Sequence, residues 1–242
     1  MKLEEFNYDL PKELIAQEPA EPRDSCRLMM VDKKTGEWEH HHFRDILDEI
    51  REGDVFVFNN TKVIPARLYG KKKDTGGKVE MLLLTPKGND TWEVLVNPGR
   101  KALPGVEIEF AENCYCKVLD KTEFGGRLVE FHYDGNFDSL LDQIGEMPTP
   151  PYIHKKLGNN DEYQTVYAKY KGSAAAPTAG LHFTPELMEE MKKKGAKLLF
   201  VTLHVGIGTF RPVSEENIED HEMHKEWYTV SEETAKEVNA AR

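Results

Sequence analysis

The sequence predicts a mixed α/β protein in which both chain ends form one discontinuous α/β domain around an inserted antiparallel six-stranded β-barrel. The middle of the chain supports the barrel, because short runs of β-branched and aromatic residues recur there between turn residues. The segments on either side support the α/β domain, because they mix helical and strand periodicities. We therefore expect three parts, residues 1–64, 65–147 and 148–242.

The first part carries helix and strand signals in alternation. Residues 10–16 predict a short helix, and residues 43–50 place apolar side chains at helical spacing. Arg27–Val31 and Trp38–His42 flank a Lys-Lys-Thr-Gly turn, which is typical of a β-hairpin. Residues 54–58 indicate a compact buried strand, so both kinds of element are expected before residue 65.

Six runs in the middle part predict strands that end at glycine-, asparagine- or aspartate-containing turns. They are residues 66–69, 79–84, 92–96, 106–110, 115–119 and 128–131. Six evenly spaced strands are typical of a small closed barrel or of a sandwich. Pro148, Pro150 and Pro151 exclude a helix directly afterwards, so this stretch is expected to lead out of the inserted part.

The last part returns to α/β character. Thr184 fits a helix N-cap with proline after it, and we expect the helix to cover residues 185–194. Residues 198–205 predict an apolar strand. Ser231 opens a final helix that runs to Arg242 without a stop signal, so the chain is expected to end within an element, as a fragment would.

Composition narrows the class of protein. The formal net charge of −11 argues against a broad basic nucleic-acid surface but allows a local patch, since lysines and arginines cluster in several places. No run is apolar enough for a signal peptide or a membrane span. Three cysteines are an odd count, which disfavours a disulfide framework and favours the cytoplasm.

Residues 172–226 are the candidate wall of an active site. This segment is rich in glycine, alanine and proline, and small side chains let a ligand approach backbone N–H groups closely. It also contains four histidines, which titrate near neutrality: His182, His204, His221 and His224. For any single one, an ordinary hydrogen-bonded histidine is about as plausible as a functional one, and the cluster favours function.

Two motifs in this segment resemble known ligand sites but do not have the residue spacing that those sites need. Gly206 and Gly208 follow a predicted strand, but Arg211 stands where a dinucleotide-binding loop needs its third glycine. His221 and His224 are three residues apart, whereas a zinc-protease helix needs a spacing of four. We therefore expect no metal site.

Two further groups could contact a ligand. Arg23, Asp24 and Arg27 could orient a carboxylate or a phosphate, although spacing alone favours a structural ion-pair turn. Asn59 and Thr61 follow a buried strand, where α/β folds commonly place ligand contacts, and an ordinary turn has equal weight.

Long sequence blocks resemble the S-adenosylmethionine:tRNA ribosyltransferase-isomerase family of queuosine biosynthesis almost end to end. The blocks are YDLP and ELIAQ, PRD, TKVIPARL, PPYI, YQTVYA, AAPTAGLHFT, TLHVG, GTF and the H-x-M-H-x-E run that ends at Glu226. Asn60 departs from the family, which often has aspartate there. The family's α/β domain also continues past the last helix of this chain.

The resemblance implies an unusual use of S-adenosylmethionine as co-substrate, without a prosthetic group. Its ribosyl moiety would be transferred to 7-aminomethyl-7-deazaguanine in the tRNA wobble position and isomerised, giving epoxyqueuosine with loss of adenine and methionine. Such chemistry needs a base beside the sulfonium and a proton donor for the departing adenine. The anticodon base must also be presented, splayed from its stack.

Candidate roles follow from that chemistry. The four histidines are candidate acid–base groups, with Glu226 as partner carboxylate. Arg23, Asp24 and Arg27 would hold the methionine end or a tRNA phosphate, with Asn59 and Thr61 as further contacts. The backbone that would cradle the nucleoside comprises Ala176, Pro177, Thr178, Ala179, Gly180, Gly206, Gly208 and Thr209.

Three rival functions remain open at this stage. They are an S-adenosylmethionine-dependent methyltransferase, a non-catalytic tRNA-binding module with the barrel as its RNA-binding face, and, last, a metal-dependent hydrolase. We expect a cytoplasmic monomer.

Overall fold

The computed structural model describes residues 1–122, 125–206, 208, 213–223 and 225–241. Its strands, in chain order, are β1 Arg27–Val31, β2 Trp38–His42, β3 Val55–Asn59, β4 Thr61–Val63, β5 Arg67–Lys72, β6 Lys78–Gly88, β7 Thr91–Asn97, β8 Glu107–Ala111, β9 Cys114–Lys121, β10 Arg127–Tyr133, β11 Gly145–Glu146, β12 Tyr170–Ser173, β13 Lys197–His204 and β14 Trp227–Val230. The α-helices are α1 Phe137–Ile144, α2 Pro185–Lys193 and α3 Glu232–Ala240. Short 3₁₀ helices occupy Leu3–Phe6, Lys12–Leu14, Arg23–Ser25, Phe43–Glu49, Gly99–Lys101, Asn160–Tyr163, Thr178–His182 and Ile218–Asp220.

The six strands predicted for the middle of the chain close into an antiparallel barrel. They pair in the order β5-β6-β7-β10-β9-β8, and β8 pairs back to β5. Alternate side chains along each strand point inward, because successive residues of a strand face opposite sides. The barrel interior contains Leu68, Met81, Leu83, Val94, Ile108, Cys116, Val118 and Val129. The predicted barrel is thereby confirmed.

Helix α1 covers one side of the barrel and was absent from the sequence prediction. Its N-cap is Asn136, whose side chain accepts a hydrogen bond from the Ser139 backbone N–H. Phe137 packs against Trp92 and Phe131, with ring centroids 5.6 and 5.1 Å apart. Asparagine before apolar residues at helical spacing was the available signal. β11 follows α1 and adds to the edge of β5.

Both ends of the chain contribute to the α/β part, as predicted. β3 from the first part runs parallel to β13 from the last part, and β14 lies antiparallel on the other side of β13. β4 and β12 form a second parallel pair. The apolar core between sheet and helices contains Phe43, Phe58, Phe183, Leu187 and Met191.

The predictions that depend on interactions between neighbouring residues, a hairpin and two helix N-caps, are confirmed. β1 and β2 pair as the predicted hairpin, from Arg27 opposite His42 to Val31 opposite Trp38. The side chain of Thr184 caps α2 by accepting a hydrogen bond from the Leu187 backbone N–H, and Ser231 caps α3 in the same way. Such caps satisfy helix N–H groups that have no partner within the helix.

Two predicted helices are shorter or tighter than expected. Residues 10–16 form only the 3₁₀ turn Lys12–Leu14, none of whose residues is buried. A segment this short is unstable as an α-helix unless tertiary packing holds it. Residues 43–50 form the 3₁₀ helix Phe43–Glu49, which buries Phe43.

Other features constrain what the chain can do. Cys26, Cys114 and Cys116 are free thiols. None of the helices in the described ranges combines the length and apolar character needed to cross a membrane. The domain boundaries at residues 64/65 and 147/148 stay predictions.

Candidate functional site

His204 lies at the carboxyl end of β13, where the sheet formed with β3 opens onto a cavity. Its Nδ1 is 2.7 Å from Oγ1 of Thr61, the first residue of β4. Thr61 is only 1% exposed, so its hydroxyl serves the imidazole rather than a ligand in solvent. The contact orients the ring and leaves Nε2 as the nitrogen available on the other side.

Two neighbours confine the His204 ring further. Trp227 stacks on it, with ring centroids 4.9 Å apart and planes inclined by 17°. Gly172 lies at the edge that carries Nε2, and a Cβ added to Gly172 would stand 2.7 Å from that nitrogen. Gly172 has φ +146°, which disfavours any other residue. The imidazole is therefore held in one orientation.

The cavity beside His204 has a volume of about 630 Å³ and lies between the barrel and the α/β part. Strands β6 and β7 contribute the barrel side. The α/β side comes from β12, the end of β13 and the segment before β14. The lining residues are Leu84, Thr85, Pro86, Lys87, Glu93, Lys171, Gly172, His204, Gly206, Glu222, Met223, Lys225, Glu226 and Trp227. A cavity of this size accommodates a small organic ligand.

The electrostatics of the cavity suit proton transfer. Burial lowers the pKa of His204 below the ordinary value, so the ring is neutral at pH 7 and can accept a proton. Glu93, Glu222 and Glu226 bring carboxylates to the lining, and an equal number of lysines balances them. These are Lys87, Lys171 and Lys225, and Lys87 pairs with Glu93 at 3.1 Å. Glu226 accepts a hydrogen bond from the Gly206 backbone N–H at 2.7 Å, which anchors it near His204.

Asn59 positions the strand that carries His204. Its Oδ1 accepts hydrogen bonds from the Leu203 and Thr61 backbone N–H groups at 3.0 and 3.1 Å, and its Nδ2 donates to the Leu203 carbonyl at 2.9 Å. Asn60 accepts a hydrogen bond from the Thr202 hydroxyl at 2.7 Å. These two amides join the end of β3 to the end of β13. Their hydrogen bonds in this structure are therefore made within the protein, and their role here is structural.

His182 lines a different cavity, of about 640 Å³. Its Nδ1 is 3.0 Å from Cys26 Sγ, its ring packs on Phe43, and burial lowers its pKa. Arg23 lines the same cavity and donates to the Gln164 and Asp161 carbonyls at 2.5 and 2.6 Å. The remaining walls are largely apolar and come from blocks that carry the family resemblance: Ala16, Gln17, Pro150, Tyr152, Ile153, Tyr163, Thr178 and Leu181.

The other candidates are placed as follows. Asp24 is buried and bonded by Arg44 at 3.0 Å, and Arg27 is exposed on β1. His221 Nδ1 lies 2.8 Å from Glu215, and this contact is the main cause that lowers the pKa of Glu215 to about 2. His221 lines neither cavity.

The predicted nucleoside cradle divides between the two sites. Thr178 lines the His182 cavity, and Gly206 lines the His204 cavity. Ala176 and Gly180 are buried, Pro177 is half-buried, and Ala179 is exposed. Gly208 is half-buried. Thr209 and His224 lie outside the described residues.

The described candidate histidines therefore do not gather in one cavity. His204 and Glu226 share one, while His182 lies in the other. Trp227 and Gly172 were missed as site residues, although Trp227 directly follows Glu226 and Gly172 opens the small-residue segment. Across the described part of the chain, no three His, Cys, Asp or Glu side chains cluster as metal ligands would.

Gly172→Ala is expected to lower turnover about 10²-fold, because the new methyl group would push the His204 imidazole out of place. Gly36→Ala is the matched control. Gly36 also has a positive φ, of +76°, but open space surrounds it. Both variants should lose some stability in chemical denaturation, and only Gly172→Ala should lose activity. Equal activities would show that the contact with His204 is unimportant.

A family model and similar relatives agree on one family. Residues 3–242 match the family model described as "Queuosine biosynthesis protein". The chain is 58% identical to the S-adenosylmethionine:tRNA ribosyltransferase-isomerase of Thermoanaerobacter sp. (strain X514) and 53% identical to that of Clostridioides difficile (strain 630). Each match covers 100% of this chain and 71% of the relative. A crystal structure of S-adenosylmethionine tRNA ribosyltransferase from Thermotoga maritima matches with 36% identity and a TM-score of 0.41, over 98% of this chain and 65% of the other.

Proposed function

This chain belongs to the queuosine biosynthesis protein family, and from that premise we propose that it is an S-adenosylmethionine:tRNA ribosyltransferase-isomerase. In the proposed reaction, the ribosyl moiety of S-adenosylmethionine is transferred to 7-aminomethyl-7-deazaguanine at the tRNA wobble position and isomerised to epoxyqueuosine. Adenine and methionine leave. The observation that carries the proposal is the match of the family model to residues 3–242, together with 58% identity to a relative of that name.

The His204 cavity supports this proposal by offering a candidate base. A base must remove a proton from the carbon beside the sulfonium, whose positive charge stabilises the developing carbanion. In the tautomer whose Nδ1–H donates to the Thr61 hydroxyl, Nε2 carries the lone pair and can accept that proton. The lowered pKa keeps the ring in the neutral, basic form at pH 7.

Two of the remaining side chains suit the charged ligand. A sulfonium is attracted by carboxylates and by the face of an aromatic ring, and Glu226 and Trp227 lie together on the cavity wall. Adenine needs a proton donor as it departs. His224 stays a candidate for that donor on the sequence alone, since it lies outside the described residues.

The proposal includes a cellular setting. The tRNA substrate and the free thiols of all three cysteines support a cytoplasmic protein. We propose a monomer, and size-exclusion chromatography with light scattering tests that state.

The function is tested by mixing the protein, S-adenosylmethionine and tRNA that carries the aminomethyl-deazaguanine. We expect equimolar release of adenine and methionine, measured by chromatography, and epoxyqueuosine in the digested tRNA. S-adenosylhomocysteine as the product would identify a methyltransferase instead. Binding of tRNA without any small-molecule product would identify a non-catalytic module.

A further inference from the structure

The His182 cavity adjoins a second cavity, of about 350 Å³. The two share Thr149, Ile153 and Leu157 as lining residues. Together they form one groove, which we call the 149–157 groove, that runs from His182 to β5 of the barrel. The groove includes neither His204 nor Glu226.

The two halves of the groove differ in chemistry. The His182 half is mainly apolar and presents Tyr152, which is 52% exposed. The barrel half presents Tyr69, which is 53% exposed, together with Arg67, Lys155 and Lys156. Among the described residues, the carboxylate of Glu146 lines the barrel half, and those of Glu18 and Glu162 line the His182 half. An apolar aromatic slot beside a cationic slot matches the base and phosphate of a nucleotide.

We propose that the 149–157 groove binds an unpaired nucleotide of the tRNA other than the reacting one. Its base enters the His182 half against Tyr152, and its phosphate lies at Arg67, Lys155 and Lys156. This inference rests on the proposed function for the identity of the RNA. The reacting base goes instead to the His204 cavity, so the groove sets which nucleotide of the loop reaches that cavity.

The charges of the groove permit this assignment. Each cation now has an acidic neighbour: Arg67 lies 3.1 Å from Glu80, Lys156 lies 3.3 Å from Glu146, and Lys155 pairs with Glu18. Ion pairs between exposed side chains are weak, so the two lysines can turn to a phosphate at little cost. The protein as a whole carries a formal charge of −11, and a local cationic surface therefore directs how RNA approaches.

The groove is held open by side chains that a nucleotide need not displace. Gln17 donates from Nε2 to the Tyr152 carbonyl at 3.0 Å, and its Oε1 accepts a hydrogen bond from the His154 backbone N–H at 2.8 Å. Arg23 fixes residues 161–164, which include the lining residue Tyr163, through two backbone carbonyls. The slot is therefore preformed, which reduces the entropy lost on binding.

The test measures binding of a short RNA hairpin with a single-stranded loop, by fluorescence anisotropy at several salt concentrations. The double variant Lys155→Gln/Lys156→Gln should weaken binding about tenfold and reduce the slope of log K against log salt by about 1. Tyr152→Ala should weaken binding about tenfold without changing that slope. The matched controls are Lys33→Gln/Lys34→Gln in the β1–β2 turn and Trp38→Ala on β2, which should bind the hairpin as the parent protein does.

Calorimetric titration with S-adenosylmethionine separates this proposal from the proposed function. The groove variants should keep the parent affinity for S-adenosylmethionine. Loss of that affinity, or RNA affinities within twofold of the parent, would overturn the assignment of the groove to RNA. In a further outcome, the protein binds the hairpin through the groove and still releases no adenine in the assay with the modified tRNA. That result would contradict the proposed function, while the assignment of the groove to RNA would stand.

Discussion

His204→Gln is expected to lower kcat by about 10²- to 10⁴-fold, the range typical of losing a general base. Glutamine preserves much of the shape and polarity of the imidazole but cannot take up a proton at neutral pH. Thr61 and Trp227 would still surround the replaced side chain. Because the loss falls on the chemical step, KM for S-adenosylmethionine should change far less than kcat.

The pH dependence gives this prediction a second readout. Burial lowers the pKa of His204 from the ordinary 6.5, so the proton-accepting form persists below that pH. The acidic limb of kcat/KM should therefore lie below about pH 6.5 in the parent protein and disappear from the residual activity of the variant. His40→Gln, an exposed histidine on β2, is the control and should keep both rate and profile. A parent-like rate in His204→Gln would remove this residue from the mechanism.

Arg127→Met is expected to lower the free energy of unfolding by about 3 kcal/mol, because it would leave several carbonyls without their donor inside the barrel. The Arg127 side chain is buried, with 7% of its surface exposed. Its Nε donates to the Ala102 carbonyl at 2.5 Å, and Nη2 donates to the Gly99 carbonyl at 2.7 Å. Nη1 donates to the carbonyls of Gly125 and Gly126 at 2.9 and 2.7 Å. One guanidinium thus joins two turns of the barrel.

Urea denaturation followed by circular dichroism measures this effect. Arg100→Met is the matched control, because Arg100 is exposed in the same 3₁₀ helix that Arg127 contacts through Gly99. It should change stability by less than about 0.5 kcal/mol. Equal losses in the two variants would mean that removal of positive charge, rather than loss of the buried hydrogen bonds, explains the result.

Prediction succeeded where short-range patterns decide the outcome. The six barrel strands follow from their alternation and turn residues, since these fix the strand direction locally. The N-terminal end of α2 follows from Thr184 and Pro185 for the same reason. The helix expected at residues 10–16 was wrong, because Leu10 and Leu14 stay exposed and so short a segment is not stable as an α-helix without packing. α1 was missed because its eight residues follow a run of strands.

The amino-acid sequence alone determined the barrel strands, the insertion of the barrel and the kind of chemistry to expect from a histidine-rich, small-residue segment. Only the tertiary structure decided which histidine meets which partner. Strand register brings His204 to Thr61, 143 positions away, and packing brings His182 to Cys26, 156 positions away. Contacts over such separations depend on how sheets and helices assemble, so no local pattern of residues could divide the histidines between two cavities.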